Sequence, residues 1–257
     1  MNSNSLLRKA SKAAVLPAGL ARLRRSGDLV ILLYHRVGTG NREIDLDASV
    51  FERQIAHLAA AERVVTLDRV LQDPEGGVVV TVDDGFRDFH EVVLPLLVTH
   101  RVPVLLYLAT SLVDRRGADP DRLTWEHLRE AVSTGYVSVG AHTHSHADLS
   151  RATEAESRRE MTTCKNLIED ELGTACEHFS YPWSYASPPA ERVARELFAT
   201  AALPWRTNRS GRIESHQLGR TPVLRSDGTF FFKAKLRGAM DNEAHLYRLL
   251  GRGPWRR

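Results

Sequence analysis

Two aspartates stand side by side at the end of an apolar run, Val78-Val79-Val80-Thr81-Val82-Asp83-Asp84-Gly85-Phe86. Further along, three histidines alternate in His142-Thr143-His144-Ser145-His146. A carboxylate against a buried strand is costly unless it is paired, and two adjacent ones repel. One cation bound by one of them, with the other free to act as a base, resolves both problems. His142 and His146 are four apart, so on a helical turn they would project to the same side. With one carboxylate they make a three-ligand site that keeps a position open for water or substrate, the arrangement of a catalytic Zn²⁺. Such an ion lowers the pKa of bound water from about 15.7 to about 7 and polarises a carbonyl. The second carboxylate, within reach of that water, can take its proton.

Blander readings exist for each piece. Asp-Asp before Gly85 also suits an exposed turn, and a His-x-x-x-His pair arises by chance in a chain with 11 histidines. Their joint occurrence, each at the end of an expected strand, favours a site. Thr143 stands where a His-Glu-x-x-His peptidase needs Glu. A two-His, one-carboxylate iron oxygenase shares the ligand set, and ligand type alone leaves it open. The second aspartate, Asp83, favours hydrolysis.

The elements that must position these residues alternate regularly. Apolar runs at Leu29 to Tyr34, Val78 to Val82, Val102 to Ala109, Tyr136 to Ala141, His178 to Tyr181, Phe198 to Ala202 and Leu218 to Leu224 read as strands, the first as one buried on both faces. Helical spacing falls between them. Phe51, Ile55 and Leu58 follow an N-cap at Asp47 or Ser49, and Val92, Val93, Leu96 and Leu97 mark a second helix. Helices are also expected over Leu123 to Val132, Glu154 to Leu172 (closed by Gly173), Pro189 to Leu197 and Asn242 to Leu250. Strand alternating with helix implies parallel pairing with crossover helices, and the pattern fits a closed α/β barrel better than an open sheet. In such a barrel the functional residues collect at the carboxyl ends of the strands. Asp83 and Asp84, His142 and His146, and Tyr181-Pro182-Trp183 all fall there.

The chain's 257 residues, 42% of them hydrophobic, suffice for one such domain. Six basic and no acidic residues lie in 1–25, so the remainder carries −3 against a total of +3. Residues 1–27 are therefore expected to form a basic arm and 28–257 a single barrel domain. A mildly acidic body is not the profile of a nucleic-acid-binding domain. The arm reads either as a frayed or docked helix or as a basic amphipathic segment lying on an anionic membrane surface. No secretory leader and no run of about 20 apolar residues is read, which sets the expectation of a cytoplasmic protein, inner-membrane-associated if the arm meets lipid. Two cysteines, Cys164 and Cys176, allow one disulfide but show no metal-type spacing.

Thr81-Val82-Asp83-Asp84-Gly85 and His142-Thr143-x-x-His146 resemble the first two signature motifs of the polysaccharide deacetylase (NodB-homology) family. The similarity runs over roughly residues 28–225. It includes Tyr34-His35-Arg36-Val37, Phe51 to Leu58, Phe179-Ser180-Tyr181-Pro182-Trp183 and Leu218-Gly219-Arg220-Thr221-Pro222. The resemblance implies a distorted (β/α) barrel that removes acetyl groups from N-acetylated sugars with a divalent metal, zinc being expected. Asp84, His142 and His146 would hold the metal and Asp83 would be the base. Tyr181, Pro182, Trp183 and Arg220 would contact substrate, Trp183 as a stacking platform.

The chain also departs from the family pattern. Val82 replaces the usual Phe, the Arg of the third motif is missing, and Ser184 replaces its Gly. Arg220 either restores the missing charge or is an ordinary surface ion-pair residue. The late Leu-x-His motif has no match, with His216 and His245 candidates by position only. His35, at the end of the first strand, is the expected general acid. A catalytically silent sugar-binding barrel in exopolysaccharide assembly is the alternative that these departures motivate.

Overall fold

The computed structural model describes residues 28–38, 40–72, 75–114, 119–204 and 213–240, together with 12, 23, 24, 208 and 243. Seven parallel strands close into a barrel. They are β1 (Leu29–Tyr34), β4 (Gly77–Asp83), β5 (Val104–Leu108), β6 (Val137–Ala141), β7 (His178–Ser180), β8 (Thr200–Pro204) and β9 (Leu218–Pro222), with β9 returning to pair with β1. Two-residue strands β2 (Arg36–Val37) and β3 (Asp45–Leu46) pair beside it. The helices are α1 (Ala48–Ala61), α2 (Leu67–Gln72), α3 (Leu94–His100), α4 (Trp125–Ser133), α5 (Glu154–Leu172), α6 (Pro188–Leu197) and α7 (Gly228–Leu236). A π-helical turn, Phe89–Val93, leads into α3.

Period-two alternation sorts the strand residues between two cores. Val30, Leu32, Tyr34, Val78, Val80, Val82, Leu106 and Phe179 face outward against the helices. Leu29, Ile31, Val79, Leu105, Tyr107, Ala202 and Leu218 fill the barrel. Continuing the same parity places Thr81, Asp83 and Arg220 inside as well. Gly140 is small for this reason: a Cβ there would lie 2.8 Å from both the His178 carbonyl and the Tyr107 ring. The seam between β6 and β7 is thin, with Ala141↔Phe179 as its one register pair.

Helix ends follow local chemistry. Asp47 caps α1 by accepting from the Ser49 N–H, and Thr153 and Glu156 form a reciprocal capping box on α5. Gly173, at φ 65°, closes α5 in the left-handed conformation that lacks a Cβ penalty. Except for the one over Asn242 to Leu250, the expected helices and strands are present with boundaries shifted by a few residues. Two helices were not foreseen, α2 and α7. The helix expected over Asn242 to Leu250 lies outside the described residues apart from Glu243.

The basic arm also lies mostly outside the described residues, but its described members are not spread over a surface. Lys12 is fully buried and pairs with Asp227, with its Nζ 3.7 Å from Glu243. Lys235 joins both acids, at 2.7 Å and 3.0 Å. Arg24 is bound to the backbone of Leu29 and Arg237. Cys164 and Cys176 are both free thiols. Among the described residues no helix is long and apolar enough to cross a membrane.

Candidate metal centre

Asp83 ends β4 and, by parity with Val79 and Thr81, points into the barrel. Asp84 follows with φ 77°, which turns its side chain up to the carboxyl end of the strands, while its N–H donates to the Tyr107 carbonyl at 3.1 Å. Gly85 continues the left-handed turn at φ 72°, where a Cβ would meet Leu108 at 2.6 Å. One short segment therefore aims its two carboxylates in different directions.

The two histidines do not sit on a helix, contrary to the expectation. They leave β6 in a loop whose Thr143 and His146 adopt φ 60° and 57°. Several bonds hold it: His142 N–H to the Leu108 carbonyl, His144 N–H to the Glu160 carbonyl, and Ala147 N–H to Thr143 Oγ1 at 2.9 Å. Nε2 of His146 lies 3.2 Å from Asp84 Oδ1, and Nε2 of His142 lies 3.6 Å from the same oxygen. His144 turns away to Thr110 Oγ1. Left-handed non-glycine residues are strained and persist only where surrounding structure fixes them; Asp84, Thr143, His146 and Trp183 are all of this kind.

A cation fits these donors on three observations. Ligand atoms of Asp84, His142 and His146 all lie within 4.8 Å of one another. His142 Nδ1 is 2.8 Å from the Ser180 carbonyl oxygen, which can only accept, so the proton is on Nδ1 and Nε2 presents its lone pair toward the carboxylates. Asp84 Oδ1 is buried and receives no well-formed hydrogen bond. Two acceptors facing each other without a proton between them call for a positive ion. Burial holds His142 down to about 4 although Asp83 beside it pulls the other way. Burial alone would raise Asp84, but the imidazoles of His146, His35 and His142 outweigh it and hold the carboxyl well below its usual range.

Asp83 has a different partner. Arg220, on β9, grips it with Nη1 to Oδ1 at 2.6 Å and Nη2 to Oδ2 at 2.7 Å, and donates also to Ser180 Oγ. The guanidinium lies 5.1 Å from the Tyr107 ring centroid. Burial pushes the Asp83 carboxyl up, but Arg220 and then His142 lower it below the ordinary value. At 1% exposure, Arg220 is neither a surface ion-pair residue nor open to substrate. Its positive charge lies inside the barrel, on Asp83.

His35 follows β1 at the same face and is half-buried; burial lowers its pKa against the pull of Asp84 and Asp83. Tyr181 and Pro182 are buried, Tyr181 packing edge-on to Phe179 at 4.8 Å, so neither presents a face to a ligand. Trp183 does. It is 41% exposed, its ring lies 5.0 Å from that of His146, and its Nε1 donates to the His146 carbonyl at 3.2 Å. His216 precedes β9 and bonds the Phe198 carbonyl, at the far end of the barrel from the metal cluster. His245 lies outside the described residues.

The fold and site define a parallel barrel that presents an Asp-His-His cluster beside an arginine-held carboxylate. The family model described as Polysaccharide deacetylase matches residues 71–202, and this chain belongs to that family. The Bacillus subtilis (strain 168) protein YxkH, a curated relative named for the same family, is 23% identical over 169 residues. The matched stretch is 63% of this chain and 58% of that relative, so the chain spans under two thirds of the relative's length. Among solved structures, the Streptococcus pyogenes deacetylase PplD in complex with acetate is 19% identical with a TM-score of 0.72, over 81% of this chain and 97% of that one. IcaB from Ammonifex degensii is 23% identical with a TM-score of 0.73, over 84% and 98%. At these identities the structures establish the fold, a distorted (β/α) barrel.

Proposed function

We propose that this protein is a metal-dependent N-deacetylase that hydrolyses the N-acetyl group of a sugar unit in an oligo- or polysaccharide and releases acetate. The observation that carries the reading is the pairing of an Nε2 lone pair and an unsatisfied Asp84 oxygen with a second carboxylate held separately by Arg220. An Asp-His-His set suits Zn²⁺, which when bound supplies Lewis acidity toward the acetyl carbonyl and acidifies water.

The chain's own residues do the rest. Asp83 stays ionised beside Arg220, and its remaining lone pairs can accept the proton of the attacking water. Arg220 cannot take that proton itself, because its guanidinium is always charged. Ser180 holds His142 by its carbonyl and Arg220 by its hydroxyl, which ties the ligand and the base to one strand. His35, in the field of both carboxylates, would pass to the departing amine the proton that Asp83 takes from the attacking water, without which an amide nitrogen leaves slowly. Trp183 stacks the sugar ring at the rim. The Streptococcus pyogenes deacetylase is in complex with acetate, the acid that this hydrolysis would release.

Metal content and acetate release, measured together on three variants, test the assignment. Asp84→Ala and His146→Ala should lose metal and turnover together. Asp83→Asn should keep the metal and lose about 10²–10⁴ in turnover, the usual contribution of a general base. Loss of metal from Asp83→Asn would overturn it.

A further inference from the structure

Phe86, two residues after Asp84, is covered by two guanidinium groups. Arg36 lies 4.5 Å and Arg122 4.4 Å from its ring centroid, and groups that close cannot share a face, so the ring is sandwiched. The two cations are not equivalent. Arg36 is neutralised by Asp88 at 2.9 Å and Asp121 at 3.0 Å. Arg122 pairs with no carboxylate among the described residues. Among the described residues its guanidinium donates from Nη1 to the carbonyl oxygen of Asp84 at 3.3 Å.

The segment that carries Arg122 is fixed against the metal loop. Arg87 N–H donates to the Asp121 carbonyl at 3.0 Å, Leu123 N–H to the Gly85 carbonyl at 3.2 Å, and Phe86 bridges Arg122. The guanidinium is thus stacked, half-buried and bonded to the backbone of a cluster residue, Asp84. An arginine in that state keeps a rigid fork of donors matched to a planar or tetrahedral oxyanion. It is also less strongly hydrated than an ammonium group, so it gives up little water on binding.

We infer that Arg122 is the receptor for an anionic group, a carboxylate or a phosphate, carried by the acetylated sugar. The preferred substrate is then an acidic glycan rather than a neutral one. This rests on the deacetylase reading, which it extends by naming the substrate class.

Three probes test it on the metal-loaded protein: a neutral N-acetylglucosamine tetramer, an N-acetylated tetramer with alternating uronic acids, and N-acetylglucosamine 1-phosphate. Calorimetric affinity and acetate release are read side by side. The expected result is at least about tenfold tighter binding of one anionic probe, with the preferred probe telling carboxylate from phosphate. That ratio should shrink in high salt, collapse in Arg122→Gln and return in part in Arg122→Lys. Equal affinity of the unaltered protein for neutral and anionic probes would overturn the proposal. So would Arg122→Gln slowing turnover on all probes alike with the ratio intact, since Arg122 would then only brace the Asp84 peptide. An intact binding ratio with no acetate released from any probe would sink the hydrolase reading and leave the anion receptor standing.

Discussion

Two clusters of buried charge lie in this barrel, and they differ in how they are balanced. Near β9 and α7, Lys12 and Lys235 face Asp227 and Glu243, two positive groups against two negative, with every carboxylate paired. At the carboxyl ends of β4 and β6, Asp83 and Asp84 face one guanidinium, while burial holds His142 and His35 below their ordinary pKa values. The first cluster closes on itself, while in the second Asp84 has no lysine or arginine partner and faces the imidazoles of His142 and His146. Burial of charge is common to both, so it does not mark a site. The difference in balance is what distinguishes them, and a cation bound between Asp84, His142 and His146 would remove it.

Substitutions can break that contrast, beginning where the loss should be greatest. Arg220→Met strands the Asp83 carboxylate inside the barrel. It should cost about 3–5 kcal/mol of stability, as breaking a buried pair does. It should also lower turnover about a hundredfold or more, within the range of a lost general base. Chemical denaturation and acetate release, run on the same preparation, check both.

Lys235→Met breaks the balanced cluster by the same chemistry and should cost a similar 3–5 kcal/mol. Its folded molecules should keep the parent's KM and kcat. A kinetic defect would mean the two clusters communicate.

The acid limb of stability sharpens the comparison next. Burial would raise Asp227, but Lys235 and Lys12 hold it below its ordinary value. Its contribution is therefore complete above the unfolded pKa of about 3.9 and is lost as pH falls through the folded one. Burial would lower Lys235, yet Asp227 and Glu243 raise it, so its share is complete below about 10.4 and fades as pH rises through the folded value. Urea midpoints across this span should fall off below pH 4 less steeply in Asp227→Asn than in the parent. The smallest effect is expected from Lys12→Met, about 1.5–3 kcal/mol, since Lys235 still pairs with Asp227.

The sequence made the metal cluster legible because its chemistry has few substitutes. Asp84 and His142 each come at the end of an apolar run and His146 follows four residues on, so it is their joint occurrence that points to one site. The strands were readable for the same reason, since runs such as Val78 to Val82 suit only a strand buried on both faces. The way the histidines converge was not readable. A helical turn and a left-handed loop both bring His142 and His146 together, and the loop's form depends on Glu160 and Leu108, far away in the chain.

Arg220 was harder still, because Leu218-Gly219-Arg220-Thr221-Pro222 looks polar enough for a surface. Counting by twos from Leu218 places Arg220 inside, and Asp83, counted from Val79, is then its natural partner. The helix Gly228–Leu236 is not legible in the sequence because three consecutive phenylalanines, Phe230, Phe231 and Phe232, show no helical spacing. Lys12 could not be placed at all from the arm's composition, which reads the same whether its charge is solvated or enclosed.

Four peptide units around the cluster, at Asp84, Thr143, His146 and Trp183, hold a conformation that glycine would adopt with less strain, roughly 1–2 kcal/mol each. Laboratory selection for heat tolerance would thus find its easiest improvements in the same few bonds that aim the donors. A hardened descendant of this barrel should be sequenced at those four codons first, because comfort gained there is aim given away.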